Sequence, residues 1–276
     1  LKYLIIGGDE RTVFLARMLA ADKNEVLCHA LEMSGLDCVE NIEEACPADC
    51  VILPLPAVKD GFLNAPLSDR KITVSELARI IPEGSTVCAG MPSPEMCDLL
   101  SARKIAVHDY AADEAFAVYN AAVTAEGAVS LLMQSMRKTL FGSRVLVVGY
   151  GRIGRLLTQK LAALGVKTYI LTRNAGSKAY AESAGINALS VGTESAVLSA
   201  FDAVINTAPA EMISSLAALK KSCVLIELAS YPYGLDRAEA ARLGLRCTLA
   251  AGLPAKYAPM SAAQVIYKNI LRCQNG

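Results

Sequence analysis

Val145-Leu-Val-Val-Gly149-Tyr-Gly151-Arg-Ile-Gly154-Arg-Leu-Leu157 runs an apolar strand directly into Gly-x-Gly-x-x-Gly and then into a helix. Each glycine has its own task in a dinucleotide-binding turn. Gly149 turns the chain off the strand, Gly151 lets the backbone approach a pyrophosphate, and Gly154 lets the helix pack on the strand. The helix start supplies N–H groups to the phosphates. Gly149, Tyr150, Gly151, Arg152, Ile153 and Gly154 are therefore the expected pyrophosphate-side residues. A second strand over 166–171 follows one helix later, which completes a β-α-β unit and sets this motif apart from a glycine-rich turn that serves packing alone.

The end of that second strand bears on cofactor choice. An NAD site usually places an acidic side chain there to accept hydrogen bonds from the ribose 2′-OH. This chain reads Thr172-Arg173-Asn174-Ala-Gly-Ser177-Lys178. No carboxylate stands where a 2′-phosphate would be repelled, and Arg173 can fork onto one while Thr172, Asn174, Ser177 and Lys178 add donors. The expectation is NADP. The alternative is that Arg173 and Lys178 are solvated loop charges.

At 276 residues the chain suits two domains of about 100–150 residues each better than one compact core. Its 27 basic and 27 acidic side chains balance, which gives no electrostatic footprint for nucleic acid or an anionic membrane. Apolar content is 53%, but it is spread over short runs, none of which is read as the 18–20 residues of a membrane span. Two-sided parallel sheets account for the excess. Cys38, Cys46 and Cys50 lie close together, yet the nine cysteines form no Cys-x-x-Cys pair and His29 and His108 are isolated, so no metal site is expected. Scattered thiols and a strand-like start without the zones of a secretion signal set the expectation of a cytoplasmic protein.

The first segment also repeats strand, turn and helix: 3–6, then Gly7-Gly8-Asp9-Glu10-Arg11, then an apolar-periodic stretch over 13–20. Further strands are expected at 25–28, 50–53, 86–89 and 105–107, giving a parallel sheet of about five. Gly7-Gly8 lacks the three-glycine spacing, so this half is assigned to the substrate side. Residues 113–138 read as one long helix. Strands at 145–148, 166–171, 203–206, 223–228 and 246–249, each with a helical segment before it, then build a second sheet. The fold expected is α/β, with two doubly wound parallel-sheet domains, an N-terminal flavodoxin/Rossmann-like one and an NADP-binding Rossmann one, joined by long crossing helices. Residues 1–142 form the first domain, completed by a C-terminal helical segment over 253–276, and 143–252 form the second.

Ligands of such sheets sit beyond the carboxyl ends of the strands. In the second domain these positions include Asn206-Thr207-Ala-Pro209, expected beside the nicotinamide ribose, and Leu228-Ala229-Ser230, expected near the nicotinamide. In the first they are Asp9-Glu10-Arg11, Pro54-Leu-Pro56 and Gly90-Met-Pro-Ser93. Each has a plainer reading in which prolines and glycines end strands and Asp9 caps a helix.

Gly7-Gly8-Asp9-x-Arg11, Tyr119-Asn120 with Thr124-x-Glu126-Gly127, Gly149-Tyr-Gly151-Arg152, Ile205-Asn-Thr207-x-Pro209, Leu228-Ala-Ser230-x-Pro232 and Gly252-Leu-Pro254 with Ala258-Pro259 occur in that order. Together they resemble the dipicolinate synthase A-subunit over nearly the whole chain. The resemblance implies NADP-linked oxidation of dihydrodipicolinate to dipicolinate in sporulation, with the second, flavoprotein-like B-subunit of dipicolinate synthase for a partner. Two positions depart from the family pattern. Tyr231 stands where a basic residue commonly follows Leu-Ala-Ser, and Ala258-Pro-Met260-Ser261-Ala stands where Lys-Thr-Ala-Gly is usual.

A dicarboxylate substrate requires cations or N–H groups. Arg11 and Arg152, with Lys256, are the basic residues placed for this, and Asp9, Arg11, Asn120, Thr124 and Ser261 are the candidate substrate contacts. Aromatisation of the ring releases one proton, for which water, Asp9 or Glu126 is available, and no base is assigned. Another NADP-dependent dehydrogenase of a small carboxylic acid, similar to shikimate dehydrogenase, is a competing reading, against which stands the lack of a paired-serine motif near the start. A regulatory, nucleotide-sensing protein without catalysis is a third. The sequence leaves homo-oligomerisation open.

Overall fold

The computed structural model describes residues 1–42 and 47–275, so Cys46 lies outside the described residues. The chain divides into two compact units, 1–120 with 254–276 and 121–253, and the divide falls inside a long helix.

In the first unit, β1 (Lys2–Ile6), α1 (Glu10–Ala21), β2 (Glu25–His29) and β3 (Cys50–Ile52) are followed by a small hairpin of β4 (Val58–Lys59) and β5 (Phe62–Leu63). Then come α2 (Val74–Ile80), β6 (Thr86–Ala89), α3 (Pro94–Ala102), β7 (Val107–Asp109) and the long α4 (Glu114–Ser135), which belongs to this unit up to Asn120 and to the second from Ala121 on. The five-stranded sheet is parallel in the order β2-β1-β3-β6-β7, the flavodoxin-type winding. Alternation along β1 sends Leu4 and Ile6 to one core, with Val51 and Val87, and Tyr3 and Ile5 to the other, with Cys50, Ile52 and Cys88. Both faces are covered, as an all-parallel sheet requires.

The second unit holds β8 (Arg144–Val148), α5 (Arg152–Ala163), β9 (Lys167–Thr172), α6 (Ala175–Ser183), β10 (Asn187–Ser190), β11 (Ala203–Asn206), β12 (Val224–Glu227), α7 (Arg237–Arg242) and β13 (Arg246–Leu249). Its six parallel strands run β10-β9-β8-β11-β12-β13, the dinucleotide-binding order. The chain ends with α8 (Leu253–Tyr257) and α9 (Pro259–Asn275). Helix α9 packs along α1 and buries Ala263, Ile266 and Ile270 in the first unit's core, and Tyr3 Oη donates to Gln274 Oε1 at 2.8 Å.

Several local expectations need correction. The strand expected at 105–107 begins at Val107, because Ile105 completes the exit from α3: Lys104 has φ 58° and Ile105 N–H donates to Leu100 O at 3.0 Å. The link over 207–223 contains no helix. Met212, Ile213, Leu216 and Leu219 cover the sheet from irregular chain, which Glu239 ties down through Ser215 Oγ and Leu216 N–H at 2.9 Å each. Strand β10 lacks alternation, and no sequence pattern predicts it. Helix α4 is long and apolar enough to cross a membrane, with a mean hydropathy of 1.3, although no unbroken apolar run suggests it. It is a core helix, whose Phe116, Ala121, Ala125, Ala128 and Leu132 are buried.

Candidate functional site

The glycine turn follows β8. Gly149 has φ 91°, in the left-handed region, and a Cβ there would lie 2.7 Å from Thr207 Oγ1. A Cβ on Gly154 would meet the Gly149 carbonyl oxygen at 2.4 Å, so helix and turn are in contact as close packing demands. A Cβ on Gly151 would meet nothing within 4 Å. Packing thus accounts for Gly149 and Gly154, and leaves Gly151 facing the space where a pyrophosphate would approach. Gly151 also caps α5 without a side-chain acceptor, and a helix start of this kind favours an anion. Arg152 and Ile153 form that first turn. Tyr150 can offer the cofactor only its backbone, since its ring is buried with Ile170, Ala181 and Ile186. Arg155 lies over the Tyr180 ring at 4.8 Å and over Tyr150 at 5.6 Å.

At the end of β9, a cavity of about 450 Å³ is lined by Thr172, Arg173, Asn174, Lys178 and Ser190, with no carboxylate among its lining residues. Asn174 caps α6 by accepting from Ser177 N–H at 2.8 Å, and Thr172 Oγ1 accepts from Asn174 N–H at 3.1 Å. Lys178 Nζ donates to Ser190 Oγ at 3.2 Å. Arg173 is exposed and has no hydrogen-bond or ion-pair partner among the described residues. The turn is built around short polar side chains that hold the backbone, and it presents a free guanidinium.

The two loops expected near the nicotinamide follow β11 and β12. Thr207 Oγ1 and N–H both donate to Val148 O, at 2.9 and 2.8 Å. Between the loops lies a residue that the motifs pass over. Glu227 is fully buried; its Oε1 accepts from Asn206 Nδ2 at 2.7 Å and Ala229 N–H at 2.8 Å, and its Oε2 from Gly234 and Leu235 N–H at 2.9 Å each. Asn206 Nδ2 also donates to Ala208 O at 2.8 Å. One carboxylate thereby ties the loop of Thr207 and Pro209 to the loop of Leu228 and Ala229. The signal is present in the sequence: a charged residue closing the apolar run Cys223-Val-Leu-Ile in a sheet buried on both faces must be paired.

In the first unit, Asp9 caps α1 and holds Arg11 bidentately, with Nε to Oδ1 at 2.9 Å and Nη2 to Oδ2 at 2.8 Å, while Nη2 also donates to Leu55 O at 2.5 Å. Arg11 is buried, and three of its five donors are committed. Asn120 and buried Thr124 stand one turn apart on α4, and exposed Ser261 lies in the first turn of α9. Glu126 accepts from Lys160 Nζ at 2.8 Å, and Lys256 and Tyr231 are exposed.

Residues 2–111 match the N-terminal domain of the dipicolinate synthase A-subunit, and residues 115–230 match the NAD-binding domain of D-isomer-specific 2-hydroxyacid dehydrogenases. The chain is 26% identical to the dipicolinate synthase A-subunit of Bacillus subtilis over 96% of its length and 93% of the relative's. The crystal structure of the Bacillus halodurans A-subunit superposes with a TM-score of 0.86 at 25% identity, covering 99% of this chain and 97% of that one. A transhydrogenase from Sinorhizobium meliloti shares the fold at a TM-score of 0.69 and 15% identity, over 98% of this chain and 93% of that one. The protein is thus a two-domain, dehydrogenase-like chain with a nicotinamide-dinucleotide-binding Rossmann unit. Its first domain matches that of the dipicolinate synthase A-subunit, and over nearly its whole length the chain is similar to A-subunits of that enzyme.

Proposed function

We propose that this chain is the dehydrogenase subunit of a dipicolinate synthase and oxidises dihydrodipicolinate to pyridine-2,6-dicarboxylate with NADP. The nicotinamide, when bound, accepts a hydride; the ring loses that hydride and one proton and becomes aromatic. Gly151 and the first turn of α5 bind the pyrophosphate. The loops locked by Glu227 flank the nicotinamide end, and Arg173 with Lys178 holds the 2′-phosphate.

The observation that carries the cofactor reading is the unpartnered Arg173 beside a cavity free of carboxylates. On the substrate side, Arg11 contributes a fixed hydrogen-bonding face to one carboxylate. Asp9 orients its guanidinium and offsets its charge, so geometry rather than bare charge is what Arg11 supplies. Asn120, Thr124 and Ser261 add polar contacts. Release of the proton to water suffices, because aromaticity drives the step. The flavoprotein-like B-subunit of dipicolinate synthase is the expected partner.

Calorimetric titration of the chain with NADP and with NAD tests the cofactor reading, with Arg173→Ala as the variant. NADP should bind more tightly, and the variant should lose about ten- to a hundredfold in NADP affinity with little change for NAD. Equal affinities in the native chain would remove the reading. Adding the B-subunit to an assay of dipicolinate formation tests the partner.

A further inference from the structure

The second unit carries another concavity, lined by charged side chains, at the amino ends of its strands, five residues back along β8 from the glycine turn and so roughly 16 Å from it. It measures about 350 Å³. Segments distant in sequence converge there: Arg137 and Lys138 after α4, Asp202 before β11, Lys220 before β12, and Arg246 opening β13. Asp202 is the sole carboxylate among the lining residues and faces four cations.

That carboxylate is already taken. It accepts from Lys138 Nζ at 2.7 Å, from Lys220 Nζ, and from Arg144 N–H at 2.9 Å. Arg246 Nη2 reaches only the Ser135 carbonyl at 3.4 Å, and Arg137 has no hydrogen-bond or ion-pair partner among the described residues. In a chain that is neutral overall, this concavity keeps an excess of three positive charges. Met136 and Val224 give it apolar walls, which strengthen the field inside, and Ser222 adds a hydroxyl.

The geometry points to a second ligand site, separate from the dinucleotide turn, for a small organic anion with two or more negative charges. Two arginine forks match carboxylate or phosphate oxygens, the lysines are held in place by Asp202, and the volume lies at the low end of small-molecule pockets. The apolar walls suit an organic body rather than a bare ion. A dicarboxylate and a phosphate monoester share this chemistry.

The test is an NMR titration of the full chain at constant ionic strength, following the amides of Lys138, Asp202, Ser222 and Arg246. Glutarate and glycerol phosphate are the two dianion probes, with acetate as the monoanion control. Saturable shifts with either dianion and none with acetate are expected, and the better probe distinguishes dicarboxylate from phosphate. The doubly substituted R137Q/R246Q chain, altered at two exposed side chains, should bind at least about tenfold more weakly while its NADP affinity stays unchanged. Shifts that fail to saturate, shifts equal for acetate, or unchanged binding by R137Q/R246Q would each overturn the proposal. Saturation by a poly-glutamate peptide but by neither small probe would also overturn it, since the concavity would then be a protein-docking surface.

Discussion

Asn206 Nδ2 donates to Glu227 Oε1 at 2.7 Å at the carboxyl ends of two neighbouring strands, and both side chains are fully buried. Strand β11 pairs with β12 so that these residues sit side by side in the ladder. Their side chains then organise the chain that leaves both strands. Packing is equally tight around Gly234, where a Cβ would lie 2.6 Å from Asn206 Nδ2.

Glu227→Ala should therefore destabilise the second unit by about 2–4 kcal/mol, because three N–H groups and the Asn206 amide lose their acceptor. Glu227→Gln should cost less, since one oxygen remains. Urea unfolding of the three proteins checks this, and an alanine variant as stable as the native chain would show that the carboxylate ties nothing together.

The glycines of the turn separate packing from binding. Gly154→Ala drives a methyl group into the Gly149 carbonyl and should cost about 1–3 kcal/mol. Gly151→Ala meets open space and should leave stability within about 0.5 kcal/mol, yet weaken dinucleotide binding at least about tenfold. Thermal unfolding and calorimetry on the same samples would show the contrast; two variants with matching profiles would refute it.

Much of this was legible in the sequence, because it rests on local rules. The strand into Gly149-x-Gly151-x-x-Gly154 requires one backbone geometry, and the ordered motifs from Gly7 to Pro259 indicated the similarity to the dipicolinate synthase A-subunit. What escaped depends on partners distant in the chain. The Asn187–Ser190 strand has little hydrophobic pattern and is defined by pairing with β9. The 207–223 link has enough apolar residues for a helix, but they are anchored by Glu239 from α7. For Arg11 the sequence offers Asp9 or Glu10 as a surface partner beside the substrate role, but neither its burial nor the Leu55 carbonyl that accepts from it.

Helix α9 belongs to the first unit's core, where Ile270 is fully buried. Ile270→Ala should destabilise that unit by about 2–4 kcal/mol through lost burial and the cavity left behind. Hydrogen exchange should record faster opening of α1 and α9. Unchanged protection in α1 would mean that α9 contributes nothing to its stability.

Burial opposes charge on Asp202, but hydrogen bonds from Lys138, Lys220 and Arg144 N–H outweigh it and bring the carboxyl from 3.8 down to about 2. A carboxyl with a lowered native value stabilises the fold above its unfolded value, and that stabilisation disappears as pH falls through the native one. Unfolding measured between pH 5 and 2 should thus show a loss of stability in the lower part of this range, reduced in Asp202→Asn. A slope identical in both proteins would assign the acid sensitivity to other groups.

Hydride transfer itself is the most direct test of the account. Dihydrodipicolinate deuterated at its saturated ring carbons, incubated with the chain and NADP, should yield deuterated NADPH and dipicolinate in equal amounts, with the B-subunit present in a parallel sample. Dipicolinate formed without nucleotide reduction, or no turnover in either sample, would contradict it.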